Sequence, residues 1–107
     1  MTSESDKTPR LHSLSDVIAY LGKEKERLAD RYDVRSLGVF GSYVRGEAAS
    51  QSDLDMLVDF TKPPTLFQFV RLQNELSDLL DVRVDLVMKS ALKPNIGERI
   101  MEEVILV

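Results

Sequence analysis

The sequence predicts an α/β (α+β) fold: a small mixed β-sheet with flanking helices, in the order α-β-turn-β-α-β-α-β. Three observations predict it. Two long segments carry apolar residues at helical spacing, and three short apolar runs read as strands. The link between the second and third runs is long enough for a crossover helix, whereas the link between the first and second is not. The 107 residues fit one compact domain over 11–107, preceded by a Ser-, Thr- and charge-rich leader at 1–10 that is expected to be disordered.

Each element follows from its residues. Ser13 or Ser15 can cap a first helix, in which Leu14, Val17, Ile18, Leu21 and Leu28 share a face and which ends near Tyr32. His12 falls before that helix and reads as a tail residue. Val34 to Phe40 is a buried strand, broken by Gly41-Ser42, after which Tyr43 to Gly46 has room for one helical turn. The polar loop Ala49-Ser50-Gln51-Ser52 leads into a second strand, Asp53 to Phe60. Alternation puts Leu54, Met56, Val58 and Phe60 on one face and Asp53, Asp55, Leu57 and Asp59 on the other. Pro63-Pro64 ends the strand. Thr65 can cap a second helix to about Leu80, with Phe69, Leu72, Leu76 and Leu79 or Leu80 inward. Val82 to Val87 is a third strand with Asp85 opposite in direction to Val84 and Leu86. Pro94 suits the start of a last helix, Ile96 to Glu102. Val104 to Val107 can add an edge strand.

Composition excludes several classes. The chain has no cysteine, so disulfides, zinc ribbons and thiol nucleophiles are out. That absence, with a polar N-terminus and no apolar run of spanning length, suits a reducing cytoplasm and no membrane partner. A formal net charge of −4 gives no long-range attraction to nucleic acid, so direct nucleic-acid binding is not expected. A charged small substrate brought in with metal, or a basic protein surface, fits better.

The chemistry lies in the acids. Asp53 and Asp55 are two apart on one strand, about 7 Å between Cα atoms on the same face. Asp85 lies near the start of a parallel neighbour, and matching register brings three carboxylates to one patch. Such a cluster repels itself unless a hard divalent cation shares it. Two cations about 3.5–4 Å apart suit in-line displacement at phosphorus. The Gly41-Ser42 turn borders the patch and offers N–H groups and a hydroxyl to phosphate. It is not a P-loop, because no Gly-Lys-Ser/Thr follows. Asp59 shares the face but lies about 13 Å from Asp55, too far to ligate with it.

Gly41-Ser42, ten residues, then Asp53-Leu54-Asp55 resembles the GS-x10-DxD signature of the polymerase-β-like nucleotidyltransferase superfamily. The string GSYVRGEAASQSDLDMLVDF, with Asp85 in VRVDLV, is similar to the minimal nucleotidyltransferase (MNT) family in particular, from about Leu14 to the C-terminus. The resemblance implies a nucleotidyltransferase fold in which Asp53, Asp55 and Asp85 bind Mg²⁺, two ions, and Asp85 also helps to deprotonate the nucleophile. It implies that Gly41 and Ser42 contact the triphosphate of ATP. Arg45 matches the arginine of the family's GSxxRG segment and has two readings, a phosphate contact or an ion pair with Glu47 or Asp59. Every position of the pattern is filled.

The same resemblance implies an antitoxin that transfers AMP from ATP to a tyrosine hydroxyl of a HEPN-domain ribonuclease toxin encoded nearby. Two alternatives stand beside it: a non-catalytic module that masks the toxin, and a nucleotidyltransferase acting on a small molecule or another protein. A homo-oligomer and a hetero-oligomer are both compatible with the sequence. A domain this small needs a docking surface separate from its site, for which Glu102 and Glu103, near the edge strand, are the candidate acids.

Overall fold

The computed structural model describes residues 13–49 and 52–107. The expected leader, His12, and loop residues Ser50 and Gln51 lie outside the described residues. The chain runs α1 (Leu14–Tyr32), β1 (Val34–Phe40), α2 (Ser42–Arg45), β2 (Leu54–Phe60), α3 (Leu66–Leu80), β3 (Val84–Met88), a 3-10 turn (Lys89–Ala91), α4 (Pro94–Glu103) and β4 (Ile105–Leu106). The fold class and element order are those expected.

Local signals explain where the helices begin and end. Ser13 Oγ accepts the Asp16 N–H at 3.1 Å and opens α1. Thr65 and Gln68 form a reciprocal capping box that opens α3. Both helices end on an aspartate in the left-handed region, Asp33 at φ 58° and Asp81 at φ 54°, a conformation that Asp tolerates better than most residues. Val82 donates to Ser77 O at 3.3 Å. That bond belongs to the exit from α3, so β3 starts two residues later than expected. The second strand likewise starts at Leu54, leaving Asp53 just ahead of it.

The sheet order is β3-β2-β1-β4. β1 runs antiparallel to β2 and β4, while β2 and β3 are parallel, as the crossover through α3 requires. Leu37 and Val39 of β1, Leu54, Met56 and Val58 of β2, and Val84 and Leu86 of β3 fall on one face by alternation and are buried. They form one core with Val17, Leu21 and Leu28 of α1 and Leu72, Leu76 and Leu80 of α3. Leu80, rather than Leu79, is the fully buried partner at the end of α3. The outer edge of β3 is protected by α3: Ser77 Oγ accepts the Val84 N–H and Gln73 Oε1 accepts the Leu86 N–H, each at 3.0 Å. The opposite face of the sheet carries Asp55 and Asp85. Fold and site therefore occupy different sides of the same strands.

Candidate active site

Asp55 is the second residue of β2 and stands level with Phe40 of β1 on one side and Asp85 of β3 on the other. Adjacent strands lie about 4.8 Å apart, so the two carboxylates leave the sheet as neighbours on one face. Asp55 is half-buried and Asp85 exposed. Asp53, two residues before Asp55, has its Oδ1 4.0 Å from Arg83 Nε. Burial pushes the Asp55 carboxyl above the usual carboxylate range, helped by repulsion from Asp85 and Asp53 and opposed by Arg45. Among the described residues, no three acids or histidines close on a single point to grip a cation as the side chains stand. The donor set nonetheless fits a divalent ion: facing hard oxygens whose mutual repulsion already perturbs Asp55.

Gly41 follows β1 and packs against Asp55. Its φ is +85°, and a Cβ placed there would collide with the Asp55 carboxylate, so the position admits only glycine. Its carbonyl accepts the N–H groups of Val44 and Arg45 at 3.0 and 3.1 Å, which closes the single turn α2. Ser42 is half-buried at the first position of that turn. The Gly41 N–H donates to Glu103 Oε2 at 2.6 Å. Arg45 bonds the same carboxylate, Nη1 to Oε1 at 2.9 Å, and its Nε donates to Glu47 Oε1 at 3.0 Å. The Gly41 N–H holds the Glu103 carboxyl below the usual range; burial works against this, and Arg45 and Arg99 support it. Of the two ion-pair partners weighed for Arg45, Glu47 is the one found. Asp59 pairs instead with Arg35 at 3.4 Å.

The expectation for Glu102 and Glu103 is overturned. Both line a cleft of about 490 Å³ with Phe40, Gly41, Arg45 and Asp55, and so belong to the site rather than to a remote docking face. The reason is topological. β4 lies beside β1, with Val39 level with Ile105, and the end of α4 is thereby carried to the end of β1, where Gly41 sits. The rest of the α4 wall is Ile96, Arg99 and Ile100. Sequence reasoning missed this wall, because its place depends on a contact 62 residues apart in the chain.

Residues 21–107 match the family described as nucleotidyltransferase domain. Protein adenylyltransferase MntA of Thermococcus cleftensis is 48% identical over 95 residues, covering 89% of this chain and 96% of the relative. A solved structure assigned to the minimal nucleotidyltransferases is similar at a TM-score of 0.69 and 37% identity, over 83% of this chain and 93% of that one. A chain from the complex of a tri-AMPylated Shewanella oneidensis HEPN toxin with MNT antitoxin is similar at a TM-score of 0.63 and 20% identity, over 84% of this chain and 70% of its own. That last likeness is one of fold. With the matched stretch running through every strand and including Gly41, Asp53, Asp55 and Asp85, the chain belongs to the nucleotidyltransferase domain family and is a nucleotidyltransferase of the minimal type.

Proposed function

We propose that the enzyme transfers AMP from ATP to a tyrosine hydroxyl of a partner HEPN ribonuclease toxin and thereby acts as its antitoxin. The observation that carries the reading is the parallel register of Asp55 with Asp85, beside a Gly41 that can only be glycine. AMP as the transferred group, and protein as the acceptor, are supported by the name of the 48% identical relative. The partner class is supported by the fold shared with a chain of the HEPN-toxin complex.

In this reading Gly41, Ser42 and Arg45 receive triphosphate oxygens. Asp53, Asp55 and Asp85 would hold Mg²⁺, two ions, which would supply positive charge against the phosphates. The tyrosine oxygen attacks the α-phosphorus and forms the new P–O bond. The bond from that phosphorus to the bridging oxygen breaks, and pyrophosphate leaves with the electron pair. Asp85, the exposed member of the pair, accepts the tyrosine proton. The open cleft lets a protein side chain approach.

The test is incubation with α-labelled ATP, Mg²⁺ and the product of the adjacent open reading frame. Label on a partner tyrosine is the expected result. Tight binding without label would overturn transfer in favour of masking, and label on a small molecule alone would overturn the choice of acceptor.

A further inference from the structure

The Glu103 carboxylate takes two of the three donors that the proposed function gives to phosphate, leaving Ser42. One oxygen accepts the Gly41 N–H at 2.6 Å and the other accepts from Arg45 Nη1 at 2.9 Å. We propose that Glu103 is an internal competitor for the nucleotide triphosphate, holding Gly41 and Arg45 until phosphate displaces it. The inference rests on the reading of Gly41 and Arg45 as phosphate donors, and it adds a competing partner for them within the chain.

Three features of the fold make Glu103 a displaceable ligand rather than a fixed brace. First, it is the last residue of α4, a helix with no buried residue. An element so lightly packed moves at little energetic cost. Second, Val104 then turns the chain into extended backbone, and β4 is anchored to β1 through two register pairs, Gly38 with Leu106 and Val39 with Ile105. The side chain thus lies at a junction between a loose helix and a short ladder. Third, its carboxylate shares the cleft with Asp55, and the two like charges disfavour each other. Glu103 is held in place by its two donors against that repulsion. A triphosphate offers the same donors more charge, and once it takes them Glu103 has no remaining partner at Gly41. A carboxylate that stayed in place would face phosphate oxygens at close range, so binding and displacement are coupled.

The coupling makes apparent affinity lower than the intrinsic affinity of the emptied site, because each binding event must first break two charge-assisted hydrogen bonds. Calorimetric titration of inorganic triphosphate, and separately of ATP with Mg²⁺, into the full chain measures the effect. Glu103→Gln and Glu103→Ala should each bind triphosphate about tenfold more tightly than the unmodified chain, the scale of one charged hydrogen bond. Glu103→Asp keeps the charge but is too short to bridge both donors, and it should tighten binding less. An NMR readout follows the same atoms: the Gly41 amide proton should move upfield in Glu103→Ala and return downfield when triphosphate is added. Thermal melts confirm that each variant is folded before it is titrated. Folded variants that bind triphosphate equally or more weakly would overturn the proposal and make Glu103 a brace for the Gly41 turn. If the unmodified chain binds ATP and labels its partner while the variants bind no tighter, this inference alone falls. If no form of the chain binds nucleotide, the proposed function falls and takes the inference with it.

Discussion

Asp55 works against the fold that holds it. Its carboxyl is raised by burial first, then by Asp85 and Asp53. For a group whose folded pKa lies above its unfolded value, the protonated form is favoured by folding. Its stabilising contribution is therefore present at low pH and is lost as pH rises through the folded value. At neutral pH Asp55→Asn should melt higher than the unmodified chain, on the order of 2–4 °C, with the gain shrinking as pH falls below the carboxylate range. Half-exposure and screening keep the effect modest. The same substitution, and Asp53→Asn, should abolish nucleotidyl transfer, by a hundredfold or more (on the order of the loss of other preorganised transition-state contacts). Melting curves across pH and a transfer assay on the same preparations check both halves; near-normal transfer by either variant would remove the site assignment. The shared face of Asp55 and Asp85 was legible in the sequence because period-two alternation settles which face a strand residue takes, whereas Asp53 lies just ahead of β2 and is not fixed by that alternation. Glu103 was not. Its approach to Gly41 spans 62 residues and depends on how α4 meets the sheet, and no local pattern encodes that angle.

The two long helices are tied to each other by a polar contact at the edge of the core. Tyr32, at the end of α1, donates from its hydroxyl to Glu75 Oε1 of α3 at 2.6 Å, and Arg27 pairs with the other carboxylate oxygen at 2.7 Å. Burial works to raise the Glu75 carboxyl, but the Tyr32 hydroxyl and the guanidinium groups of Arg27 and Arg31 overcome it and hold it below its ordinary value. A lowered carboxylate contributes stability above its unfolded pKa and loses it as pH falls through the folded value. Tyr32→Phe should then cost about 1.5–3 kcal/mol near neutral pH, the range for a hydrogen bond to a charged acceptor. The deficit should shrink as Glu75 protonates, and urea unfolding of both proteins at neutral and acid pH measures it. At this scale the sequence was readable where one residue carries the signal. Ser13 and Thr65 open the helices, and Leu72, Leu76 and Leu80 face the core. Boundaries were less readable where a bond crosses elements. Val82 is spent on Ser77, which delays β3, and the 3-10 turn at Lys89–Ala91 lies in a stretch without apolar periodicity.

The whole molecule sets its core against one face of the sheet and its acids on the other, so removing a charge from the acid face need not disturb packing. Binding should stabilise the chain by mass action: Mg²⁺ with ATP at about 100 times its Kd adds about 2.7 kcal/mol, whereas Mg²⁺ alone adds less, because it keeps water until phosphates complete its shell. Calorimetry that shows no ATP-dependent shift at millimolar nucleotide would mean that the isolated chain has no formed nucleotide site. Docking follows from the same layout. A stable protein complex buries roughly 1,200–2,000 Å² in total, far more than the rim of a cleft can offer, so most of the partner's contact must lie beyond the acids. Glu102 and Glu103 cannot serve as that remote surface, since both line the cleft. Asp85 is exposed at the level of Asp55, and the neutral amide of Asp85→Asn would keep the shape while losing the proposed proton acceptor. Asp85→Asn should therefore hold the partner in a pull-down with affinity within about threefold of the unmodified chain, since surface substitutions away from packed contacts stay within about 0.5 kcal/mol. It should transfer no label to that partner. If Asp85→Asn loses binding as completely as transfer, the acceptor's grip and the chemistry share the same few residues, and a separate docking surface does not exist.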